Sequence, residues 1–278
     1  MEPRIYIERA RVELKKNNKL GALMILEEGY ARNQDTELLR LLEEVRAQLH
    51  HLKDMKSYRE FYEKQQSKPD RYYKLGRRIE RKVRSLLGIR AKRIVKSYSS
   101  NPRYLKVEAD IRQGNYRTVL DVGCWEGHFS ICLGARNPDI SITGMDIAST
   151  NIEVANELNR FKNIKFILGA AEDINKIIAP SSFDFIMLFE ILEHVIDANV
   201  VLNAALDVLK PGGKIAITVP STEDLDEHHD EHVRFFSDQL ILDLFGMRGG
   251  FTKQLVQHTQ APGKPNKYSH YITFLKPA

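Results

Sequence analysis

From position 117 onward, five short apolar runs, RTVLDV, ISITGMD, IKFIL, FDFIMLF and GKIAITV, alternate with stretches of helical periodicity such as STNIEVANELNRF and ANVVLNAALDVL. No other feature restricts the fold as much. The runs are short and apolar on successive residues, as strands covered on both faces must be, so the spacing predicts parallel strands joined by crossover helices. Two later apolar pieces, 253–257 and 271–275, flank the turn-rich HTQAPGKPNKYSH and read as a closing hairpin. Pro211, Gly212 and Gly213 read as the end of a helix turning into the fifth run.

The first 55 residues carry a different pattern. Apolar positions Ile7, Ala10, Val12 and Leu14 precede a NNKLG break; Leu23, Leu26 and Tyr30 precede RNQDT, where Asp35 is placed to cap a helix carrying Leu38, Leu41, Leu42, Val45 and Leu49. This helix-turn-helix-turn-helix order resembles a tetratricopeptide-like hairpin with a following helix, and a plain helical extension fits it as well. A single unit of this kind exposes an apolar face, which makes it a candidate for dimer or protein contact.

Between the two regions lies the positive charge. Residues 68–106 hold fourteen Lys and Arg against two acids, while the rest of the chain is net acidic. Leu75, Ile79, Val83, Leu86 and Leu87 form a helical stripe ringed by Arg77, Arg78, Arg81, Lys82 and Arg84. Such a helix either covers a domain with its charges solvated or meets an anionic partner, a nucleic acid or a membrane surface. The expected organisation is a helical unit at 1–55, a basic linker or cap at 56–110 and an α/β domain at 111–278. No run reaches the roughly 20 apolar residues of a membrane span, the N-terminus is charged, and Cys124 and Cys132 are too few for a disulfide framework. A cytoplasmic protein is expected.

The chemistry concentrates in the α/β part. VLDVGCWEGHF is a buried strand followed by a glycine loop and a helix start, and ligands of open α/β sheets bind at the carboxyl ends of strands. The next strand ends in Asp146, where a carboxylate can accept from both hydroxyls of a ribose. The dinucleotide pattern G-x-G-x-x-G is absent, because Trp125 stands at its middle glycine, and there is no G-K-[ST] of a phosphate loop. A nucleoside without a pyrophosphate fits best.

Here the chain resembles the class I S-adenosylmethionine-dependent methyltransferases, through VLDVGCWEGHF, GMDIA, GAAEDI, FDFIMLFEILEHV, LKPGGKIAITVP and DEHVRFFSDQLILDLF in that order. The resemblance implies a Rossmann-like seven-stranded sheet with the last strand antiparallel, and S-adenosylmethionine as cofactor. It places Asp121, Gly123, Cys124 and Gly127 around the methionine end, Asp146 and Ile147 at the ribose, and Ala171 with Glu172 beside the adenine. Phe189 and Glu190 fall between cofactor and acceptor. Trp125 replaces the usual middle glycine, and Ala170 an acid often found in the adenine loop.

One stretch has two readings. In FEILEHV, Glu190, Glu193 and His194 would share one face if the segment were helical. With His232 of the later DEHV, they are similar to the metal ligands of small-RNA ribose 2′-O-methyltransferases, a set suited to Mg²⁺, Mn²⁺ or Zn²⁺. The other similarity is to the ubiquinone-biosynthesis O-methyltransferases, where the same residues shape the acceptor pocket. His232, His194 and Glu190 are therefore the catalytic candidates, the acceptor being a hydroxyl that must lose a proton. The function expected is O-methylation of a small molecule or glycan; the alternatives are ribose methylation of RNA guided by the basic segment, and a cofactor-binding scaffold without turnover. His228 and His229 lie in an acidic loop, and His128 and His258 stand alone.

Overall fold

The computed structural model describes residues 2–16, parts of 22–33, 34–50, 89–98, 101–195, 197–220, 236, 241, 244–245, 251–257 and 268–277. His232, His228, His229, His258 and the basic stripe at 75–87 lie outside the described residues.

Near the N-terminus, α1 (Pro3–Lys15) and α2 (Thr36–His50) pack with helical turns between them around Tyr6, Ile7, Ala10, Ala22, Leu23, Leu26, Leu38, Leu42 and Val45. Asp35 caps α2 as expected, its Oδ1 accepting from the amides of Glu37 and Leu38 at 2.9 and 3.0 Å. Most of the apolar positions read from the sequence therefore meet one another in this core; Val12 instead is exposed.

Two more helices, α3 (Ile89–Tyr98) and α4 (Pro102–Gln113), precede the first strand. Asn101 and Pro102 set the start of α4: the Asn101 side chain accepts from the amides of Arg103 and Tyr104, and Pro102 occupies a position needing no amide donor. The α/β part then runs β1 (Thr118–Val122), α5 (His128–Arg136), β2 (Ser141–Asp146), α6 (Ser149–Leu158), β3 (Ile164–Leu168), a 3₁₀ turn at Ala171–Asp173, α7 (Ile174–Ile177), β4 (Phe183–Phe189), α8 (Ala198–Val208), β5 (Leu209–Pro220), β6 (Phe251–Gln257) and β7 (Tyr268–Leu275).

These strands form one seven-stranded sheet in the order β3-β2-β1-β4-β5-β7-β6, with β7 antiparallel to both neighbours. The sheet is the one the sequence resemblance implies. Its two faces are covered separately: Leu120, Val122, Ile186, Leu188, Ile215 and Ile217 face α8, whereas Val119, Phe185, Met187 and Ala216 face the side holding α4 and α5. Each strand contributes alternate residues to each layer, which is why its sequence is apolar throughout.

The Pro-Gly-Gly stretch departs from expectation. Helix α8 already stops at Val208, because Leu209 is extended, buried and paired with Phe183, and the next pair in register is Phe185 with Lys214. Residues 210–213 therefore bulge out of β5, and the φ of +73° at Gly212 supplies the left-handed turn that the bulge needs.

Strand order reverses between β1 and β4, and the loops leaving β1, β2, β3 and β4 open at the same edge. That edge is where a ligand crevice is expected in a sheet of this kind.

Candidate functional site

The loop after β1 is built by backbone geometry. The amides of Gly123 and Cys124 both donate to the carbonyl of Met145, at 2.8 and 3.0 Å, folding the loop over the end of β2. Gly123 and Gly127 are left-handed, with φ of 72° and 73°. A Cβ on Gly123 would come within 2.6 Å of Ile191, and one on Gly127 within 2.4 Å of Phe166, so neither position accepts a side chain without displacement. Trp125 takes the left-handed φ of 49° that a middle glycine would have, and its side chain points outward, 49% exposed. Its amide donates to Asp146 Oδ2 at 2.8 Å. The loop thus holds Trp125 in a left-handed conformation with its amide bonded to Asp146.

Two buried carboxyls sit under this loop. Asp121 accepts from Ser130 Oγ at 2.5 Å, and Asp146 accepts from the amides of Trp125 and Ala148 and from the Asn151 side chain. Burial pushes Asp121 up to about 7, against the pull of the Ser130 bond and with a smaller push from Asp146. Burial also raises Asp146, partly offset by its three donors. Among the described residues neither has a Lys or Arg partner. Buried carboxylates with no countercharge of their own suit a ligand that brings cationic and hydroxyl groups.

The neighbouring loops complete the edge. Ile147 follows Asp146, Ala171 is buried in the 3₁₀ turn after β3 with Glu172 half-buried beside it, and Phe189 ends β4. Phe189 is edge-on to Phe129 at 5.3 Å and to Tyr271 at 6.2 Å, while Phe129 in turn contacts Tyr98 and Tyr104. His128 stands between Trp125 and Tyr98, edge-on to both. An aromatic wall therefore runs from the glycine loop to the end of β4.

The helical reading of FEILEHV is corrected. Residues 190–195 form a turn after β4: Glu190 is left-handed at φ 51°, its amide donates to Thr218 O at 2.9 Å, and the His194 amide donates to Ile191 O at 3.0 Å. The sharp reversal at Glu190 and the packing of Ile191 against Gly123 prevent a helix from starting there. Glu190, Glu193 and His194 consequently do not share a helical face. Glu190 Oε1 instead meets Arg103 Nη1 at 3.1 Å and Ser269 Oγ at 2.9 Å. Glu193 is buried, and among the described residues neither of its carboxyl oxygens has a hydrogen-bond partner. Burial, and then the charge of Glu190, hold its carboxyl well above the usual range.

Among the described residues no group of three His, Cys, Asp or Glu side chains is arranged to hold a metal ion. Arg103 already supplies positive charge at Glu190. Of the expected Glu190, Glu193, His194 and His232 set, His232 lies outside the described residues, so only three of the four members are described.

Sequence reasoning missed Arg103, Ser269 and the aromatic contacts of Tyr98, Phe129 and Tyr271.

Fold and crevice together define a nucleoside-type binding domain of the doubly wound α/β class. A model of the family described as "Methyltransferase domain" matches residues 115–263, more than half of the 278-residue chain, and the chain belongs to that family. Ubiquinone biosynthesis O-methyltransferase of Idiomarina loihiensis is 37% identical over 101 residues, 36% of this chain and 40% of that protein. Its namesake from Pseudomonas paraeruginosa is 34% identical over 109 residues, 37% and 44% of the two chains. The match thus spans less than half the length of these curated relatives. The plantazolicin methyltransferase BamL, solved with a triazolic desmethylPZN analog and SAH, is 15% identical with a TM-score of 0.51, covering 72% of this chain and 97% of that one; this likeness is one of fold. The resemblance to class I methyltransferases read from the motifs is borne out.

The family implies S-adenosylmethionine. The residues present fit it: Asp121 and Asp146 are buried carboxyls at the carboxyl ends of β1 and β2 with no Lys or Arg partner among the described residues, which suits a ligand bearing cationic and hydroxyl groups. Among the described residues no helix is long and apolar enough to cross a membrane.

Proposed function

We propose that the protein transfers a methyl group from S-adenosylmethionine to a hydroxyl of a small molecule or glycan in the cytoplasm. The observation that carries this reading is the turn after β4: it sets Glu190, held at one oxygen, beside the glycine loop and at the end of the aromatic wall. The curated relatives, named as O-methyltransferases, support the same atom type.

The cofactor, when bound, supplies an activated methyl whose leaving sulfur departs neutral. The chain's task is then to position the reactants and move one proton, and positioning contributes most. Asp121 and the glycine loop hold the methionine end, Asp146 with Ile147 the ribose, and Ala171 with Glu172 the adenine. Phe189 and the rings behind it exclude water from the path of transfer. Glu190 orients the acceptor hydroxyl through Oε2, and His194 or His232 accepts its proton. The N-terminal helical unit is assigned to dimer or protein contact, and residues 68–106 to an anionic partner.

The test is transfer of labelled methyl to catechol, a simple sugar and a short RNA with a free 3′ ribose. Catechol or the sugar is expected to be labelled, and Glu190→Gln should lower kcat about a hundredfold with affinity for S-adenosylhomocysteine (SAH) kept. Labelling of RNA alone would replace the proposed acceptor. Unchanged turnover in the double variant His194→Ala/His232→Ala, with SAH binding intact, would remove the histidines from the mechanism.

A further inference from the structure

Glu190 is gripped from two distant parts of the chain. Arg103 comes from α4, ahead of the sheet, and Ser269 from β7, at its far end in sequence; both contacts fall on Oε1. We propose that Arg103 and Ser269 are positioning residues that fix Glu190 so that Oε2 faces the acceptor hydroxyl. The proposal rests on the reading of Glu190 as the residue that meets the acceptor.

Three observations support it. First, Glu190 needs external support: a non-glycine residue in the left-handed region at the end of a strand is held there by its surroundings. Its amide is tied to Thr218, which fixes the backbone, but a carboxylate on two further rotatable bonds would still sweep the crevice. Donors on Oε1 remove that freedom.

Second, the backbone that carries Arg103 is fixed. Its amide is bound by the Asn101 cap at 2.9 Å. Further along α4, Glu108 accepts from Arg136 and Asn137 on the α5 side. Asp110 accepts from Tyr271 Oη at 2.8 Å and pairs with Lys214 at 3.5 Å. The helix is clamped to α5 through one acid and to β5 and β7 through another, two residues apart. The Arg103 side chain therefore starts from a fixed point, and it is mostly buried where it meets Glu190.

Third, the same strand serves both contacts. Tyr271 anchors α4 while Ser269, two residues earlier and on the same face of β7, reaches Glu190. Any shift of α4 relative to β7 therefore changes the distance between the two donors, which couples the placement of Glu190 to the docking of α4 on β7.

The test uses the full chain in the SAH-bound form and four variants: Arg103→Met, Arg103→Lys, Ser269→Ala, and Arg103→Met/Ser269→Ala. Crystal structures are expected to show Glu190 Oε1 displaced in the double variant and retained in Arg103→Lys. With catechol as acceptor, Arg103→Met should lower kcat thirtyfold or more, while acceptor KM and SAH affinity stay within threefold. Arg103→Lys should recover at least a third of wild-type kcat, and Ser269→Ala should lose about fivefold. A Glu190 that keeps its place in the double variant would overturn the proposal, and so would a displaced Glu190 with unchanged kcat. Uniform loss of SAH binding across the variants would mark Arg103 as a purely structural residue, which also overturns it. Should wild-type protein not methylate catechol, the catechol reading of the acceptor fails while the crystallographic arm still decides whether these two residues hold Glu190.

Discussion

The two ends of the sheet treat carboxylates in opposite ways. At the amino end, Asp184 of β4 accepts from the amides of Arg117 and Thr118, from the Thr118 hydroxyl and from Lys210 Nζ, all within 2.8 to 2.9 Å. Although burial alone would raise it, the Lys210 bond and the three further donors bring it down to about 2. At the carboxyl end, Asp121 and Asp146 are buried with no Lys or Arg partner among the described residues, Glu193 is buried beside the charge of Glu190, and all three are raised. A chain optimised only for stability would finish both ends like the first. The second leaves buried carboxyls without a Lys or Arg partner among the described residues, as a ligand-binding edge does.

This contrast can be broken from either side. Asp184→Ala is expected to cost about 2 kcal/mol of stability at neutral pH, the size of its pKa depression, with SAH affinity unchanged; chemical denaturation and calorimetry check this. Because the folded pKa of Asp184 is depressed, its contribution is present above about pH 4 and is lost as pH falls toward 2.

Asp121 works with the opposite sign. Its folded pKa is raised, so the stability it contributes to the ligand-free protein is present below about pH 4 and lost as pH rises through about 7. Ligand binding runs the other way, since the ammonium of SAH selects the ionised carboxylate. Affinity for SAH should fall by up to about tenfold, or about 1.4 kcal/mol, per pH unit below 7. Asp121→Asn should bind SAH weakly and flatten both profiles, measured by titration calorimetry and thermal melts across that range.

A smaller effect tests the helix that reaches across the site. Asn101→Ala removes the cap of α4 and is expected to cost about 1 kcal/mol of stability. It should also reduce kcat severalfold, because Arg103 is bonded to that cap.

The parts legible in the sequence were those carried by local patterns. Continuous apolar runs disclosed the parallel strands, because burial on both faces leaves a mark on every residue. The glycine loop and Asp146 disclosed the cofactor edge, since a tight turn and a strand-end acid have fixed spacing. Asp35 was legible as a cap for the same reason. What stayed hidden depended on contacts between distant segments. FEILEHV has helical spacing, yet Glu190 is turned into the left-handed region by packing of Ile191 on Gly123 and by its bond to Thr218, neither of which is written locally. Arg103 and Ser269 stand 166 residues apart and reach the same oxygen of Glu190 because β7 inserts between β5 and β6. The same insertion brings Tyr271 to Asp110. Periodicity cannot disclose a meeting of that kind.

The claim that the carboxyl end is the cofactor site and the amino end a structural lock is tested most directly by titrating SAH calorimetrically into wild-type protein, Asp146→Ala and Asp184→Ala. Saturable binding to wild type, a loss of a hundredfold or more in Asp146→Ala and full retention in folded Asp184→Ala are predicted. Absence of binding to wild type, or equal losses in the two variants, would contradict the account.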